Sequence, residues 1–485
     1  MLLRRLYEDM LAQASYIIAC DETRQAIVID PNRDVDKYLT VARQDKLQIT
    51  HVTETHIHAD FVSGARALAE ATGAKLMLSA EGGDDWQYAY AADAGAQLLH
   101  DGDVIDVGSV RVTVMHTAGH TPEHLSFLIT DTAAAATPMG LLSGDFIFVG
   151  DVGRPDLLER TAAAGRPPGN EERPRPGHVG TTMDALAREL YRSLQRARSL
   201  PDHLQIWPGH GAGSACGKAL GDVPSSTLGY ERLVNWAFRA GDEDAFVREA
   251  LAGQPEPPKY FARMKAVNRD GPKPRIEPSR IARMSPTEWT KAVDEGAIVI
   301  DVRSTSEYAL AHMADSLNIP TGTSFPNWLG SLVHPDRRII FLVGRDDSRF
   351  FRALRGAALV GMDRVIGWGG PDIVQHWIAA GRRLMTTTQL EPKAVEESKR
   401  MIVDVRGQSE RDETRIPGAR HAFLGDLIAQ LGDIPKDTPL ALYCGSGSRS
   451  AIGASLLQAA GFTDVANMKG GIDAWRKAGL KVDGG

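Results

Sequence analysis

Three observations predict an α/β protein built from one large unit followed by two smaller ones. Apolar runs of strand length alternate with helix-length runs through most of the chain. The 485 residues exceed what one hydrophobic core supports. Beyond residue 296, one pattern occurs twice at a spacing of roughly one hundred residues. Expected boundaries are 1–272, 273–386 and 387–485.

In chain order, residues 16–20 (YIIAC) and 26–30 (AIVID) flank a polar turn and predict a hairpin. Residues 63–72 form an Ala-rich helical run directly after the segment THIHAD at 55–60. Residues 110–114 (VRVTV) and 125–129 (LSFLI) predict further strands. Residues 161–180, rich in Ala, Pro, Gly, Arg and Glu, predict a surface insertion. In the repeat, AIVIDVR at 297–303 recurs as MIVDVR at 401–406, and IIFLVG at 339–344 as LALYCG at 440–445. VIGWGG at 365–370 recurs as ANMKGG at 466–471, each copy leading to a Trp, at Trp377 and Trp475.

Composition excludes several classes. A net charge of -7 speaks against nucleic acid or an anionic membrane as partner. Cys20, Cys216 and Cys444 are the three cysteines; they make no disulfide framework and fit a reducing cytoplasm. Residues 1–10 lack the apolar stretch of a signal peptide, and no uncharged run has membrane-spanning length. The expected location is cytoplasmic. The composition is compatible with a homo-oligomer and does not specify one.

Four short runs carry chemistry: THIHAD at 55–60, GHT at 119–121, SGD at 143–145 and PGH at 208–210. His56 and His58 are two apart at a strand end, so both rings can face one side, and Asp60 continues that side. His120 and Asp145 each follow a glycine, as in loops that approach an ion closely. Imidazoles and carboxylates drawn from separate segments suit a metal site. His100, His116, His124, His178 and His203 fit no ligand pattern and are read as hydrogen-bonded structural residues.

The order His-x-His-x-Asp, Gly-His-Thr, Gly-Asp, Pro-Gly-His resembles the metallo-β-lactamase fold. That resemblance implies an αββα sandwich with metal between its sheets, over roughly residues 1–270. In the binuclear hydrolases of the fold a second His usually follows the Asp. Here that position is Phe61, which cannot bind metal, so a mononuclear centre is expected. His56, His120 and Asp145 then make a two-His-one-carboxylate triad suited to non-haem Fe(II). The segment GDFIFVGDVGRPD at 144–156 resembles the persulfide dioxygenases. It implies one Fe(II) per chain and oxidation of a low-molecular-weight thiol persulfide, of the glutathione or coenzyme A type, by O2 to sulfite. By the same resemblance His58, Asp60 and His210 orient ligands or bound water. Arg154 is a candidate contact for an anionic group of the substrate, with a loop-bracing arginine as the equal alternative.

Cys444, Gly445, Ser446, Gly447, Ser448 and Arg449 lie between an apolar strand and a helix-like run, 450–460. Such a loop can aim backbone N–H groups at one point and hold Cys444 as thiolate or persulfide. With Asp404, Val405, Arg406 and the KGG of 469–471, the segment resembles a rhodanese sulfurtransferase. The resemblance implies sulfur transfer between persulfide, sulfite and thiosulfate, with residues 445–449 cradling the substrate. In the first copy Val343 stands where the cysteine should be, so that copy is expected to be catalytically silent. Cys216 follows His210 in the run GHGAGSACGK and resembles a cysteine of dioxygenase–rhodanese fusions that enters the sulfur chemistry. Small neighbours are expected to leave it accessible, with Lys218 favouring its thiolate, though a structural role is an even alternative. Cys20 is read as core. Two rival functions stand against this reading. One is a zinc thioester hydrolase similar to glyoxalase II; the other is a non-catalytic sulfur carrier with a vestigial metal site.

Overall fold

The computed structural model describes residues 1–157, 159–160, 183–274 and 277–484. The insertion expected at 161–180, with His178, lies outside the described residues. The chain divides into two compact units, Met1–Arg275 with Leu359–Gly361, and Ile276–Ala358 with Met362–Gly485.

Among the described residues, the first unit holds two six-stranded sheets. Strands β1 (Leu2–Glu8), β2 (Gln13–Ala19), β3 (Gln25–Ile29), β4 (Gln48–Thr53), β5 (Lys75–Ser79) and β6 (Gln97–Leu99) lie in chain order in one sheet. The other runs β12-β11-β10-β9-β8-β7, from β7 (Val104–Val107), β8 (Val110–His116), β9 (Leu125–Asp131), β10 (Gly140–Gly144), β11 (Gln205–Pro208) and β12 (Ser226–Thr227). All seven residues of β2 are buried, because its two faces serve two cores. Tyr16 and Ile18 join Val112, Phe127 and Leu142 between the sheets. Ile17 and Ala19 face outward onto Tyr38, Ala42 and Leu68 of the helices Asp36–Gln44 and Ala65–Thr72. On the opposite side Leu141 and Ile206 pack under Leu190 and Leu194 of the helix Met183–Ala197. Helices cover both outer faces, which is the αββα sandwich.

The second unit contains both copies of the repeat. Strands β13 (Ile298–Asp301), β14 (His312–Met313), β15 (Leu317–Asn318), β16 (Ile339–Leu342), β17 (Val365–Gly369) and β18 (Leu384–Met385) belong to the first copy. Its main sheet is parallel, ordered β15-β13-β16-β17, beside a small antiparallel β14-β18 pair. The second copy has β19 (Thr388–Leu390), β20 (Met401–Asp404), β21 (Arg420–His421), β22 (Leu440–Tyr443) and β23 (Val465–Met468), ordered β19-β23-β22-β20-β21. The helix Ser448–Ala459 packs against β22 and β23 and also against β15 of the other copy. Asn318 N–H donates to Ser455 Oγ at 3.0 Å across that junction. Residues 450–457 are all buried, as a helix contacted on two sides requires. No helix among the described residues is long and apolar enough to cross a membrane.

Candidate metal centre and sulfur-transfer loop

The metal-type residues gather at one end of the sandwich because their loops leave neighbouring strands there. His56, His58 and Asp60 follow β4, His120 joins β8 to β9, Asp145 ends β10 and His210 ends β11. His56, His120 and Asp145 are buried, with ligand atoms all within 4.8 Å of one another. Asp145 Oδ2 lies 4.0 Å from His56 Nε2 and 3.5 Å from His120 Nε2. His120 Nδ1 donates to the Arg154 carbonyl at 3.1 Å, which leaves its Nε2 lone pair free. His56 Nδ1 is held by Thr55 Oγ1 at 2.9 Å. Asp145 Oδ2 has no hydrogen-bond partner in the protein, as a carboxylate oxygen meant for a cation would not.

The electrostatics favour a cation. Burial, then the neighbouring histidines, lowers His56 well below its ordinary value, and burial brings His120 to about 4 and His210 to about 3. These rings are neutral near pH 7 and present lone pairs. Burial, then Asp60, pushes the Asp145 carboxyl well up, and burial raises Asp60 to about 6. A positive ion would relieve both.

His58 stands apart from this set. Its Nε2 pairs with Asp30 Oδ1 at 3.1 Å. Burial opposes its charge, but the Asp30 carboxylate outweighs burial and lifts it to about 9. Asp30 also receives Thr55 N–H at 2.6 Å and the Thr55 hydroxyl at 3.0 Å, so it organises the loop that carries His56. Sequence reading missed it; the one available signal was an Asp closing the AIVID strand. His124, read as structural, holds the metal group from behind. Its Nε2 accepts the Asp145 N–H at 3.0 Å while Nδ1 bonds Thr117 Oγ1. Asn268 Nδ2 donates to the His58 and Phe61 carbonyls, at 2.7 Å each, and Tyr260 O–H to the Asp60 carbonyl at 2.9 Å. A Cβ at Gly209 would sit 2.7 Å from Asp145 Oδ1, so a side chain there would press on the carboxylate of the triad.

Two expectations are corrected. Arg154 is not a free anion contact: it is fully buried, with Nε and Nη2 on Asp156 at 2.9 and 2.7 Å and Nη1 on the Ala215 carbonyl at 3.1 Å. It braces the loop, and its carbonyl orients His120. Cys216 is not accessible either, being 1% exposed. Lys218 does not serve it, since its Nζ donates to the Glu249 carbonyl at 2.7 Å and lies over Trp236. Burial, then the Asp145 and Asp60 carboxylates, pushes the Cys216 thiol well above its ordinary value.

In the second unit Cys444 follows β22, buried at 1% exposure. Its Sγ receives Gly447 N–H at 3.1 Å and the Ser450 hydroxyl at 3.5 Å; Ser450 was missed because it falls past the motif. Arg449 is clamped by Glu410, Nη2 to Oε1 at 2.7 Å. Gly471, at φ +56, lies where a Cβ would meet the Cys444 and Gly445 carbonyls at 2.3 and 2.4 Å, so only glycine closes this loop. Cys20 is buried core, as expected.

Residues 9–210 match the metallo-beta-lactamase superfamily and residues 388–478 a rhodanese-like domain. A solved metallo-beta-lactamase from Staphylococcus aureus subsp. aureus COL is 37% identical, covering 76% of this chain and 99% of its own, with a TM-score of 0.66. A hydroxyacylglutathione hydrolase of Polaromonas sp. is 35% identical over 40% of this chain and 61% of its own length. The mitochondrial persulfide dioxygenase of Bos taurus is 26% identical over 43% of this chain and 68% of its own. The chain spans about three-fifths of the length of the first curated relatives it matches.

Proposed function

Because the chain belongs to the metallo-beta-lactamase superfamily and carries a rhodanese-like domain, we propose that it is an iron-dependent persulfide dioxygenase coupled to a thiosulfate sulfurtransferase. The observation that carries this reading is the buried cluster of His56, His120 and Asp145, with Phe61 in place of a further ligand. Two imidazoles and one carboxylate with free lone pairs fit Fe(II) and leave positions for a sulfur ligand and O2. Iron, when bound, supplies the redox chemistry that joins the outer persulfide sulfur to O2. The balance is RSSH + O2 + H2O → RSH + SO3²⁻ + 2H⁺, in which the outer sulfur loses four electrons and O2 gains four.

The chain's own part is placement and charge. Thr55 and the Arg154 carbonyl fix the two ring orientations. The His58–Asp30 ion pair carries no net charge and fixes the loop that delivers His56. The substrate would be a small thiol persulfide of the glutathione or coenzyme A type, met in the cytoplasm. At the second centre the Cys444 thiolate attacks the outer sulfur of RSSH and releases RSH. Sulfite then takes that sulfur from the Cys444 persulfide to give S2O3²⁻ and the thiolate again. Sulfite made at one centre is consumed at the other, and a covalent link raises its effective concentration.

O2 uptake by anaerobically iron-loaded protein given glutathione persulfide tests the reading, with sulfite and thiosulfate quantified. Stoichiometric uptake, lost in His120→Ala, is expected. A zinc thioester hydrolase is the second reading, favoured by the likeness to the Polaromonas hydrolase. Hydrolysis of a glutathione thioester by zinc-loaded protein without O2, and no O2 uptake by the iron form, would replace the first reading with the second.

A further inference from the structure

Two guanidinium groups flank the strand end that carries Cys444, and both are already committed. Arg406 lies over the Tyr443 ring and is held by Asp404, Nε to Oδ1 at 2.9 Å and Nη2 to Oδ2 at 2.8 Å. Arg449 gives both Nη atoms to Glu410. The Cys444 sulfur itself receives the Gly447 N–H and the Ser450 hydroxyl, both uncharged donors. A sulfur oxyanion arriving at this loop therefore needs a positive charge that is not yet paired off.

Lys469 can supply it. It follows β23 in the turn 468–471, which packs on the Cys444 loop. A Cβ at Gly447 would meet the Gly470 nitrogen at 3.0 Å and the Met468 carbonyl at 3.3 Å. The neighbours of Lys469 on both sides thus touch the residue whose N–H reaches Sγ. Ile472 and Asp473 N–H donate to the Cys444 and Gly445 carbonyls at 2.8 and 3.2 Å. Lys469 Nζ meets Glu391 Oε1 at 3.0 Å, with the two side chains 53% and 68% exposed. A pair so exposed is screened by solvent and exchanges readily for another anion. The first copy differs at this place as well: its VIGWGG puts Trp368 where ANMKGG puts Lys469, and Trp368 stacks on Phe350 with centroids 4.8 Å apart. Gly370 and Gly471 support that alignment, since a Cβ on each would meet the carbonyl of the matching loop glycine, Gly344 at 3.2 Å and Gly445 at 2.4 Å.

We propose that Lys469 binds the oxyanion end of thiosulfate or sulfite at Cys444, exchanging Glu391 for the substrate. This rests on the sulfur-transfer half of the reading above. In the step S2O3²⁻ + Cys444–S⁻ → Cys444–S–S⁻ + SO3²⁻, the S–S bond of thiosulfate breaks and its electron pair leaves with sulfite. A new S–S bond forms on Cys444 and no proton moves. The attacking thiolate and the dianion repel each other, and an ammonium group with three donors on a flexible stem offsets that repulsion. A lysine held only by an exposed carboxylate also lets sulfite go, whereas a rigid bidentate arginine would retain it.

Alkylation of Cys444 in the full-length protein tests it, because iodoacetate carries a negative charge and iodoacetamide, of nearly the same size, does not. Peptide mass spectrometry follows Cys444 alone. Lys469→Met should lower the iodoacetate rate severalfold and leave the iodoacetamide rate unchanged. Lys469→Arg should restore the iodoacetate rate, and Glu391→Gln should raise it above that of the parent protein. In thiosulfate-to-cyanide transfer, Lys469→Met should raise the thiosulfate KM about tenfold with kcat kept, the scale of one hydrogen bond to a charged group. Equal losses with both alkylating reagents would make Lys469 structural and overturn the proposal, as would an unchanged iodoacetate rate. Absence of transfer by the parent protein would instead fail the sulfurtransferase reading, and the ratio of the two alkylation rates would still decide on Lys469.

Discussion

The two copies of the second unit share a scaffold and differ in chemistry. Each has a parallel sheet of the same central order, β13 between β15 and β16 in one, β20 between β21 and β22 in the other. Each buries an Asp–Arg brace at a strand end: Asp301 with Arg303, Nε to Oδ1 at 2.9 Å, and Asp404 with Arg406, likewise at 2.9 Å. Each ties its loop arginine to a glutamate, Arg349 to Glu307 at 3.1 Å and Arg449 to Glu410. After the central strand, however, one copy has Val343 and the other Cys444, both buried. The loops diverge as well. In the first, Asp346 Oδ1 accepts the Ser348 N–H and hydroxyl at 3.0 and 2.6 Å, so a carboxylate already occupies the start of the helix Ser348–Leu359. In the second, Gly447 turns its N–H toward Sγ. The frame is kept where the loops diverge because braces and sheet order serve folding, whereas the side chain after the central strand and the loop donors are free to differ without disturbing it.

The largest test of that contrast is Cys444→Ser, which should cut thiosulfate-to-cyanide sulfur transfer by about 10³-fold or more, since a hydroxyl cannot carry the persulfide. Val343→Cys should confer nothing, because Asp346 holds negative charge where an anionic substrate would sit. A gain of transfer in Val343→Cys would break the comparison.

Removing a brace comes next. Arg406→Ala removes the guanidinium from the buried Asp404, which keeps the Tyr443 hydroxyl and the backbone N–H of residue 406, and should cost about 3 kcal/mol in denaturant unfolding. Arg303→Ala should cost less, since Arg303 is 13% exposed against 3% for Arg406. Equal losses would mean that the braces are not distinguished by burial.

Arg449→Ala should reduce sulfur transfer by about tenfold, the scale of one charge-assisted contact, while Arg349→Ala leaves the transfer rate unchanged. Comparable losses in both would give the first copy a part in the reaction.

The smallest effect is one of pH. Burial opposes the Glu307 charge, but hydrogen bonds from Ser304 and Arg349 outweigh it and hold the carboxyl at about 2 against an ordinary 4.5. A depressed carboxyl adds stability that is present above pH 4.5 and lost as pH falls toward 2. Glu307→Gln should flatten that part of the unfolding profile, and an unchanged slope would assign the acid sensitivity elsewhere.

Local motifs were legible because their chemistry sits within a few residues. THIHAD, GHT, SGD and CGSGSR could be read directly, and so could the repeat and the hairpin at 16–30. Partners that come from elsewhere in the chain could not. Asp30 meets His58 from 28 residues away and Glu410 meets Arg449 from 39. Lys218 lies two residues from Cys216 yet points to Glu249, so proximity in sequence misled.

By itself, then, the sequence determined the alternation of strands and helices, the repeated pattern, the valine at 343 where the second copy has Cys444 and the set of metal-type side chains, because periodicity and residue chemistry are local properties. Only tertiary structure decided that Arg154 braces, that Cys216 is buried beside Asp60 and His210, that Asp30 takes His58 away from the triad, and that the helix after Cys444 leans on β15. Those outcomes depend on which loops meet at one end of a sandwich and how deeply they are buried, and burial sets both which charges need partners and which atoms can supply them.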